Sequence, residues 1–165
     1  MVLTVNLRHR RQRLLVDHID VLRAATAWTM QRRPFRIDAF VVLPDHLHAI
    51  WTLPENDTDF STRWRLIKSR FAAAIPKAEE ITAGPLRRGE RGIWQRRFWE
   101  HLIRDDDEYG AYVAYCMINP VKHGHVQRVV DWPYSSFHRE VRIGNFDADW
   151  GDDPDAPGAF GERDP

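Results

Sequence analysis

Two histidines one residue apart in an apolar run are the first half of a candidate metal site. His46 and His48 lie in segment 43–51, whose β-branched and aromatic residues predict a strand. In a strand, residues i and i+2 point to the same face, so the two imidazoles should project side by side. Imidazoles are common ligands of divalent metals, so the pair indicates a metal site that other residues must complete.

A tyrosine and an asparagine further along the chain supply the second half. Tyr115 and Asn119 are four residues apart on a predicted helix over 106–119, so they share one helix face. The amide oxygen of Asn119 can bind a metal beside the two imidazoles, and the open positions suit Mg²⁺ or Mn²⁺ engaged with a phosphate. The phenol of Tyr115 can act as a nucleophile. Because its ordinary pKa is about 10, it needs the assistance of a metal that polarises the phosphate.

The elements that must position these residues follow from hydrophobic periodicity and from the prolines. Strands are predicted over 2–7, 35–43, 46–53 and 93–104. Helices are predicted from Asp17 to about 32, from Asp59 or Ser61 to about 75, and from 106 until Pro120 ends the last one. Strands 35–43 and 46–53 should pair as a hairpin, with the histidine strand in the middle of the sheet. We therefore predict an α+β fold with a single antiparallel β-sheet flanked by helices.

Composition and charge favour one globular domain that binds a polyanion. The chain has 165 residues, of which 43% are hydrophobic and 12% aromatic. We predict a domain over 1–150 and an acidic, disordered tail over 151–165. Residues 1–142 carry a net formal charge of +6, because most of the acidic excess lies in the tail. The single cysteine, Cys116, and the lack of an apolar run of membrane-spanning length predict a cytoplasmic protein with no membrane partner.

Arginines interleaved with aromatic residues predict a path for nucleic acid. Arginine can bind phosphates while tryptophan stacks on bases. The alternative is that the tryptophans are core residues, and Trp99 is open to both interpretations. The predicted DNA-binding residues are Arg8, Arg10, Arg11, Arg87, Arg88, Arg91, Trp94, Arg96 and Arg97.

These motifs together resemble one family. The His46-Leu47-His48 triplet is followed at the family's spacing by segments 94–99, 115–124 and 132–137, the second of which contains Tyr115 and Asn119-Pro120-Val121. In this order they closely resemble the REP-associated tyrosine transposases, members of the single-tyrosine HUH transposase superfamily. The resemblance covers about residues 4 to 150.

The resemblance implies a fold, a reaction and a set of roles. The fold is the HUH type, a small antiparallel sheet with helices, similar to the ferredoxin and RRM folds. The substrate is single-stranded DNA at the hairpins of repeated extragenic palindromes (REP). His46 and His48 correspond to the metal-binding pair, Asn119 to the third ligand, and Tyr115 to the nucleophile that takes the 5′ phosphate. The resemblance implies a monomer, with the homodimer of related insertion-sequence transposases as the alternative.

Two other functions are compatible with the same residues. A domesticated descendant could bind DNA hairpins without cutting them, and a metal-dependent hydrolase could use water in place of Tyr115. The two differ from the transposase in whether a covalent protein–DNA bond forms. Three further histidines, His101, His123 and His125, have a spacing that suggests no mechanism.

Overall fold

The computed structural model describes residues 1–10, 12–77 and 91–151, and its centre is a four-stranded antiparallel sheet. The strands are β1 (Val2–Asn6), β2 (Arg36–Val42), β3 (His46–Thr52) and β4 (Trp99–His101). Their order across the sheet is β2-β3-β1-β4, so the histidine strand β3 lies inside the sheet. The predicted fold class, the hairpin and the internal position of the histidine strand are confirmed.

The register of the strands places polar residues beside the two histidines. On β1, Thr4 pairs with His48 and Asn6 pairs with His46. On the other side of β3, Val41 pairs with His48. The short connection between β2 and β3 is closed by a hydrogen bond from the Leu43 N–H to the His46 carbonyl, at 2.8 Å. Main-chain pairing on both sides therefore sets the direction of both imidazoles.

Helices cover both faces of the sheet. They are α1 (Leu14–Asp17), α2 (Ile19–Arg32), α3 (Phe60–Ala74), α4 (Asp106–Lys122) and α5 (Phe137–Arg142), and Val129–Asp131 form a 3₁₀ turn. One face of β3 presents Leu47, Ala49 and Trp51, all buried. Trp51 stacks on Trp64 of α3 with ring centroids 4.5 Å apart, so α3 packs on this face. The opposite face carries the histidines and is covered by α4, whose Tyr115 contacts His48.

Two predicted helix boundaries were wrong. Asp17 does not cap the second helix, because it is the last residue of α1, and His18 precedes α2 without a side-chain cap. The extra turn forms because it buries Leu15 and Val16 in the core. Pro120 does not end α4, which continues to Lys122. Proline removes one N–H donor, but the helical carbonyl bonds resume beyond it, with the His123 N–H donating to the Asn119 carbonyl at 2.9 Å.

The strand predicted over 93–104 is much shorter in the structure. Only Trp99–His101 pair with β1, and Trp94 forms an isolated bridge with Leu7. The start of the segment is held to α3 instead, since Trp94 Nε1 donates to the Lys68 carbonyl at 3.2 Å. Of the two predicted starts for α3, Asp59 is the N-cap and accepts from the Thr62 N–H.

A buried arginine connects the start of α3 to the end of α2. Arg63 is 1% exposed and donates to both carboxylate oxygens of Asp57, at 3.1 and 2.7 Å. It also donates to the carbonyls of Arg33 and Pro34. The pKa of Asp57 is lowered to about 2, first by these hydrogen bonds from Arg63 and then by the Asp59 N–H.

One sequence prediction, the acidic tail, falls largely outside the described residues. Of the proposed acidic tail over 151–165, only Gly151 is described. Within the described ranges, no helix combines the length and the apolar character that crossing a membrane requires.

Candidate active site

The two histidines of β3 form the floor of a buried polar site. His46 is 3% exposed and His48 is fully buried. Their ring centroids are 5.1 Å apart and the rings are perpendicular. The alternation of the strand therefore brings both imidazoles to one face, as the spacing predicted.

Each imidazole is oriented through its Nδ1 atom. Nδ1 of His46 donates to Oδ1 of Asp45 at 2.6 Å. Nδ1 of His48 is 3.0 Å from Oγ1 of Thr4. With the protons on Nδ1, the Nε2 lone pairs of both rings point into the site. This is the arrangement in which a histidine binds a metal and is oriented by a hydrogen bond from its other nitrogen.

Three buried acceptor atoms in the site have no hydrogen-bond partner among the described residues. They are Nε2 of His46, Nε2 of His48 and Oδ1 of Asn119. Asn119 is fully buried, and its Nδ2 donates to the Tyr115 carbonyl at 2.7 Å, which leaves Oδ1 as the free acceptor. Unsatisfied buried acceptors are costly, so a cation that all three could bind accounts for them. Nitrogen and oxygen donors of this kind fit Mg²⁺ or Mn²⁺.

The composition of the site limits which residues could bind the cation. The described ranges contain no group of three or more His, Cys, Asp or Glu side chains arranged for a metal. Beside the two histidines, the described side chains offer the unpaired amide oxygen of Asn119 as a further donor.

Burial keeps His48 in the neutral form that binds metals. Its pKa is lowered well below the usual value, first by desolvation and then by the neighbouring His46, His123 and Lys122. Asn119 acts in the opposite direction, although the His48 Nε2 and the Asn119 Oδ1 form no well-directed hydrogen bond.

The phenol of Tyr115 lies against the histidine pair. The ring centroids of Tyr115 and His48 are 5.4 Å apart, and Tyr115 is 5% exposed. Tyr112, one turn earlier on α4, instead contacts His101 with ring centroids 5.1 Å apart. The structure therefore brings Tyr115, and not Tyr112, to the two histidines.

Sequence reasoning missed Thr4 and Lys122 beside the site and assigned no role to His123. Thr4 lies opposite His48 in the sheet. Lys122 has its Nζ atom 5.2 Å from the centroid of the Tyr115 ring, and the His123 ring lies 5.0 Å from that of His46. A spacing of seven residues from Tyr115 could have placed Lys122 on the same helix face. No signal in the sequence could have paired Thr4 with His48, because strand register depends on distant residues.

A basic opening leads to the histidine pair from outside. A cavity of about 370 Å³ next to His46 is lined by two arginines and two further histidines from separate segments, as well as by Asp45. The basic residues in its wall are Arg10, Arg13, His123 and His125. Arg10 Nε is also 3.9 Å from the Asp45 carboxylate. Of the predicted DNA-binding residues, Arg10 is the one at this opening.

A second group of predicted DNA-binding residues lines a groove beside α3. Arg11, Arg87 and Arg88 lie outside the described residues. The other five, together with Arg65 and Lys68 of α3, border the groove; they are Arg8, Arg91, Trp94, Arg96 and Arg97. Burial lowers the pKa of Lys68 to about 8.

Two of these residues have structural partners inside the protein. The Arg91 guanidinium donates to the carbonyls of Ala72, Ile75 and Pro76, and so satisfies the C-terminal end of α3. Trp94 is half-buried against Phe71, with ring centroids 5.3 Å apart. Their side chains therefore stabilise the wall of the groove, whereas Arg96 and Arg97 are exposed along it.

Comparison with known proteins identifies relatives across nearly the whole chain. No family model matches the chain. The chain is 50% identical over 150 residues to a REP-associated tyrosine transposase of Escherichia coli K12, an alignment that covers 91% of this chain and 83% of the relative. It is 44% identical over 153 residues to a putative REP-associated tyrosine transposase of Haemophilus influenzae, covering 92% and 87%.

A solved structure agrees with these sequence relatives. A REP-associated tyrosine transposase bound to a REP hairpin superposes on this fold with a TM-score of 0.80 and 47% sequence identity, over 95% of this chain and 88% of the other. Since identity and coverage are both high in sequence and in structure, this chain belongs to the REP-associated tyrosine transposases.

Proposed function

We propose that this chain cuts and rejoins single-stranded DNA next to REP-like hairpins, through a covalent bond between Tyr115 and the 5′ phosphate. The observation that supports this most is the convergence, within one chain, of the unsatisfied Nε2 atoms of His46 and His48, the Oδ1 of Asn119 and the phenol ring of Tyr115. Relatives that share about half of the sequence are transposases, and one of them is bound to a REP hairpin.

In the proposed reaction, the Tyr115 oxygen attacks the scissile phosphorus. The new O–P bond joins the protein to the 5′ phosphate, the bond from phosphorus to the 3′ oxygen breaks, and the departing strand ends in a 3′ hydroxyl. One proton leaves the phenol and one is taken up by the departing oxygen. Because a phosphodiester is exchanged for another ester, a 3′ hydroxyl can later displace the phenol and rejoin DNA.

The residues around the phenol hold the reacting groups in place. His46, His48 and Asn119 would hold Mg²⁺ or Mn²⁺, which would polarise the phosphate oxygens when bound. Lys122, exposed beside the Tyr115 ring, supplies positive charge where the phosphate must lie. The choice between the two metals stays a prediction.

The DNA path follows the basic surfaces on either side of the site. Arg10 and Arg13 at the opening next to His46 would bind phosphates near the cut, and Arg96 and Arg97 along the α3 groove would bind the hairpin or its flank. A single chain contains every group of the proposed site, which favours a monomer. The cytoplasmic location is a prediction from the cysteine content.

The polarity of the covalent bond provides a direct test. The purified chain is incubated with Mn²⁺ and a hairpin oligonucleotide that carries single-stranded flanks, and the products are separated on a denaturing gel. A label at the 3′ end should move with the protein, and a label at the 5′ end should leave on a shorter fragment. Tyr115→Phe should abolish the labelled protein band, while the matched control Tyr112→Phe, one turn away on α4, should retain it.

Each alternative function predicts a different gel. Cleavage that survives Tyr115→Phe would indicate a hydrolase that uses water. Hairpin binding without an adduct, in Mg²⁺ and in Mn²⁺, would indicate a binding protein that does not cut. A protein band labelled from the 5′ end would contradict the proposed polarity.

A further inference from the structure

Three aromatic rings form an open patch at the edge of the sheet. Trp99 and His101 of β4 have parallel rings, with centroids 5.9 Å apart and an angle of 10° between their planes. Tyr112 of α4 lies against both, at 6.2 Å from Trp99 and 5.1 Å from His101. Trp99 is 48% exposed, which is unusual for so large an apolar side chain. We call Trp99, His101 and Tyr112 the aromatic platform.

The platform lies on the same face of the sheet as the candidate metal ligands. Thr4 pairs with His48 on one side and with Trp99 on the other. Residues paired across antiparallel strands point to the same face, so Trp99 projects beside Thr4 and His48. Two strand spacings of about 4.8 Å separate the Trp99 backbone from that of His48, or roughly 10 Å. Tyr112 precedes Tyr115 by one turn of α4. Strand β4 and helix α4 therefore both place the platform near the proposed nucleophile.

The Glu108 carboxylate holds the His101 ring of the platform in place. Glu108 Oε1 accepts from His101 Nε2 at 2.6 Å, and its other oxygen accepts from the Arg104 N–H at 2.7 Å. The Glu108 N–H in turn donates to the Asp105 side chain, which caps α4. The His101 ring is therefore held in one orientation, parallel to Trp99, before any ligand arrives.

We propose that the aromatic platform stacks an unpaired base of the substrate strand, one or two nucleotides from the scissile phosphate. This inference rests on the proposed function, because it takes Tyr115 as the point of cleavage. Flat aromatic surfaces bind bases of single-stranded DNA by stacking, with little dependence on sequence. A stacked base would fix the strand so that the phosphate next to it lies at Tyr115.

The charges around the platform favour a base over a phosphate as its occupant. The first turn of α4 presents the exposed acids Asp106 and Asp107, and Asp105 precedes them. These carboxylates repel phosphates from this side of the platform. Exposed Arg104 lies near Tyr112, and the exposed Arg96 and Arg97 come before β4 and lie along the groove at α3. The backbone of the strand would therefore pass on the arginine side while one base turns towards Trp99.

The platform also separates the roles of two tryptophans. Trp94 has its indole N–H bound to the Lys68 carbonyl and its ring packed on Phe71, so its surface is largely used inside the protein. Trp99 has an exposed ring and lies on the histidine face. Of these two tryptophans, we therefore assign base stacking to Trp99.

The test uses the full chain with Tyr115→Phe, which keeps the substrate uncut. 2-Aminopurine is placed at each unpaired position of the flanking strand in turn, and its fluorescence and the dissociation constant are measured. One position should be quenched on binding, and Trp99→Ala should remove that quenching and weaken binding about 5- to 100-fold, the range expected for one stacked base. Trp99→Phe should keep part of both effects. Leu102→Ala is the matched control, since Leu102 is 68% exposed and lies three residues away without an aromatic ring.

A substrate with an abasic site at the quenched position completes a double-mutant cycle with Trp99→Ala. It should weaken binding to the Trp99 protein and cause no further loss with Trp99→Ala. Equal affinities for both proteins, or quenching that persists in Trp99→Ala, would overturn the platform while leaving the cleavage reaction intact. If the unchanged protein, which has Tyr115, forms no covalent adduct, the proposed function would be overturned instead. Stacking could still be measured through binding.

Discussion

The position of one proton on each imidazole decides whether His46 and His48 can bind a cation. Asp45 accepts from Nδ1 of His46, and the Thr4 hydroxyl lies within hydrogen-bond distance of Nδ1 of His48. The Asp45 carboxylate only accepts, so it places the proton of His46 on Nδ1. The Thr4 hydroxyl can accept from Nδ1 of His48 in the same way, and this tautomer directs the Nε2 lone pair of each ring into the site. Thr4 therefore affects metal binding without touching the metal.

Replacing Thr4 tests this effect at the level of a single hydroxyl. Thr4→Val preserves the shape of the side chain and removes the hydrogen bond to His48, so the affinity for Mn²⁺ should fall about 10- to 100-fold. Isothermal titration calorimetry measures the affinity directly. Thr4→Ser, which keeps a hydroxyl, should stay close to the unchanged protein. Equal Mn²⁺ affinities of Thr4→Val and Thr4→Ser would show that the contact with His48 Nδ1 does not affect metal binding.

The local periodicities in the sequence were sufficient to predict which of the candidate side chains share a face. The i, i+2 spacing of His46 and His48 and the i, i+4 spacing of Tyr115 and Asn119 each define a face, and the structure brings those two faces together. Contacts between distant segments could not be predicted in this way. Thr4 meets His48 only through strand register, and Arg91 turns away from the surface to bind carbonyls at the end of α3.

At the scale of secondary-structure elements, the junction between α2 and α3 depends on one ion pair. Arg63 is buried and joins Asp57 to the carbonyls of Arg33 and Pro34. Sequence periodicity could not predict the burial of Arg63, because it does not reveal that a loop will fold over a helix face. The Arg63–Asp57 ion pair therefore stabilises the packing of α2 on α3.

This ion pair should make stability depend on acid pH. The pKa of Asp57 is lowered to about 2 in the folded chain, and in the unfolded chain it is 3.8. Its contribution to the free energy of unfolding is therefore complete above about pH 4 and is lost as the pH falls through about 2. Urea unfolding should show Asp57→Asn less stable than the unchanged protein at pH 6, with the difference shrinking between pH 4 and pH 2.

A surface acid provides the control for this experiment. Asp20 has a side chain that is 91% exposed, and Asp20→Asn should cause little change in the free energy of unfolding at any of these pH values. A deficit of Asp57→Asn that stays constant down to pH 2 would mean that the carboxylate contributes by packing and not by its charge.

The arrangement of elements was predictable to the extent that each element has its own sequence signal. The order of strands and helices, the hairpin and the central histidine strand follow from periodicity and prolines. Element ends were less accurate, since Pro120 is accommodated within α4 and the segment before β4 binds to α3. Both deviations come from tertiary contacts that offset a local preference.

At the scale of the whole molecule, every group of the proposed site comes from the same chain. Strand β3 provides the histidines, and helix α4, packed on the same sheet face, provides Asn119 and Tyr115. No second subunit is required to bring the phenol to the imidazoles. This differs from sites in which a helix from a partner chain supplies the nucleophile.

A mixing experiment tests this arrangement. A protein with His46→Ala and His48→Ala, co-expressed and purified with one carrying Tyr115→Phe, should form no covalent adduct with the hairpin oligonucleotide, because neither chain has a complete site. The denaturing gel described above is the measurement. Recovery of the adduct in the mixed preparation would show that the two halves of the site are shared between chains.

The paired strands around β3 have a consequence for handling the protein. Since β1 and β2 hydrogen-bond to β3 on both sides, and since Asp45 and Thr4 already orient the rings, the scaffold does not depend on an ion for its assembly. A chelator should remove a bound divalent ion without unfolding the protein. One apo stock could then be reloaded with a series of divalent ions, which would allow their effectiveness to be ranked on identical polypeptide.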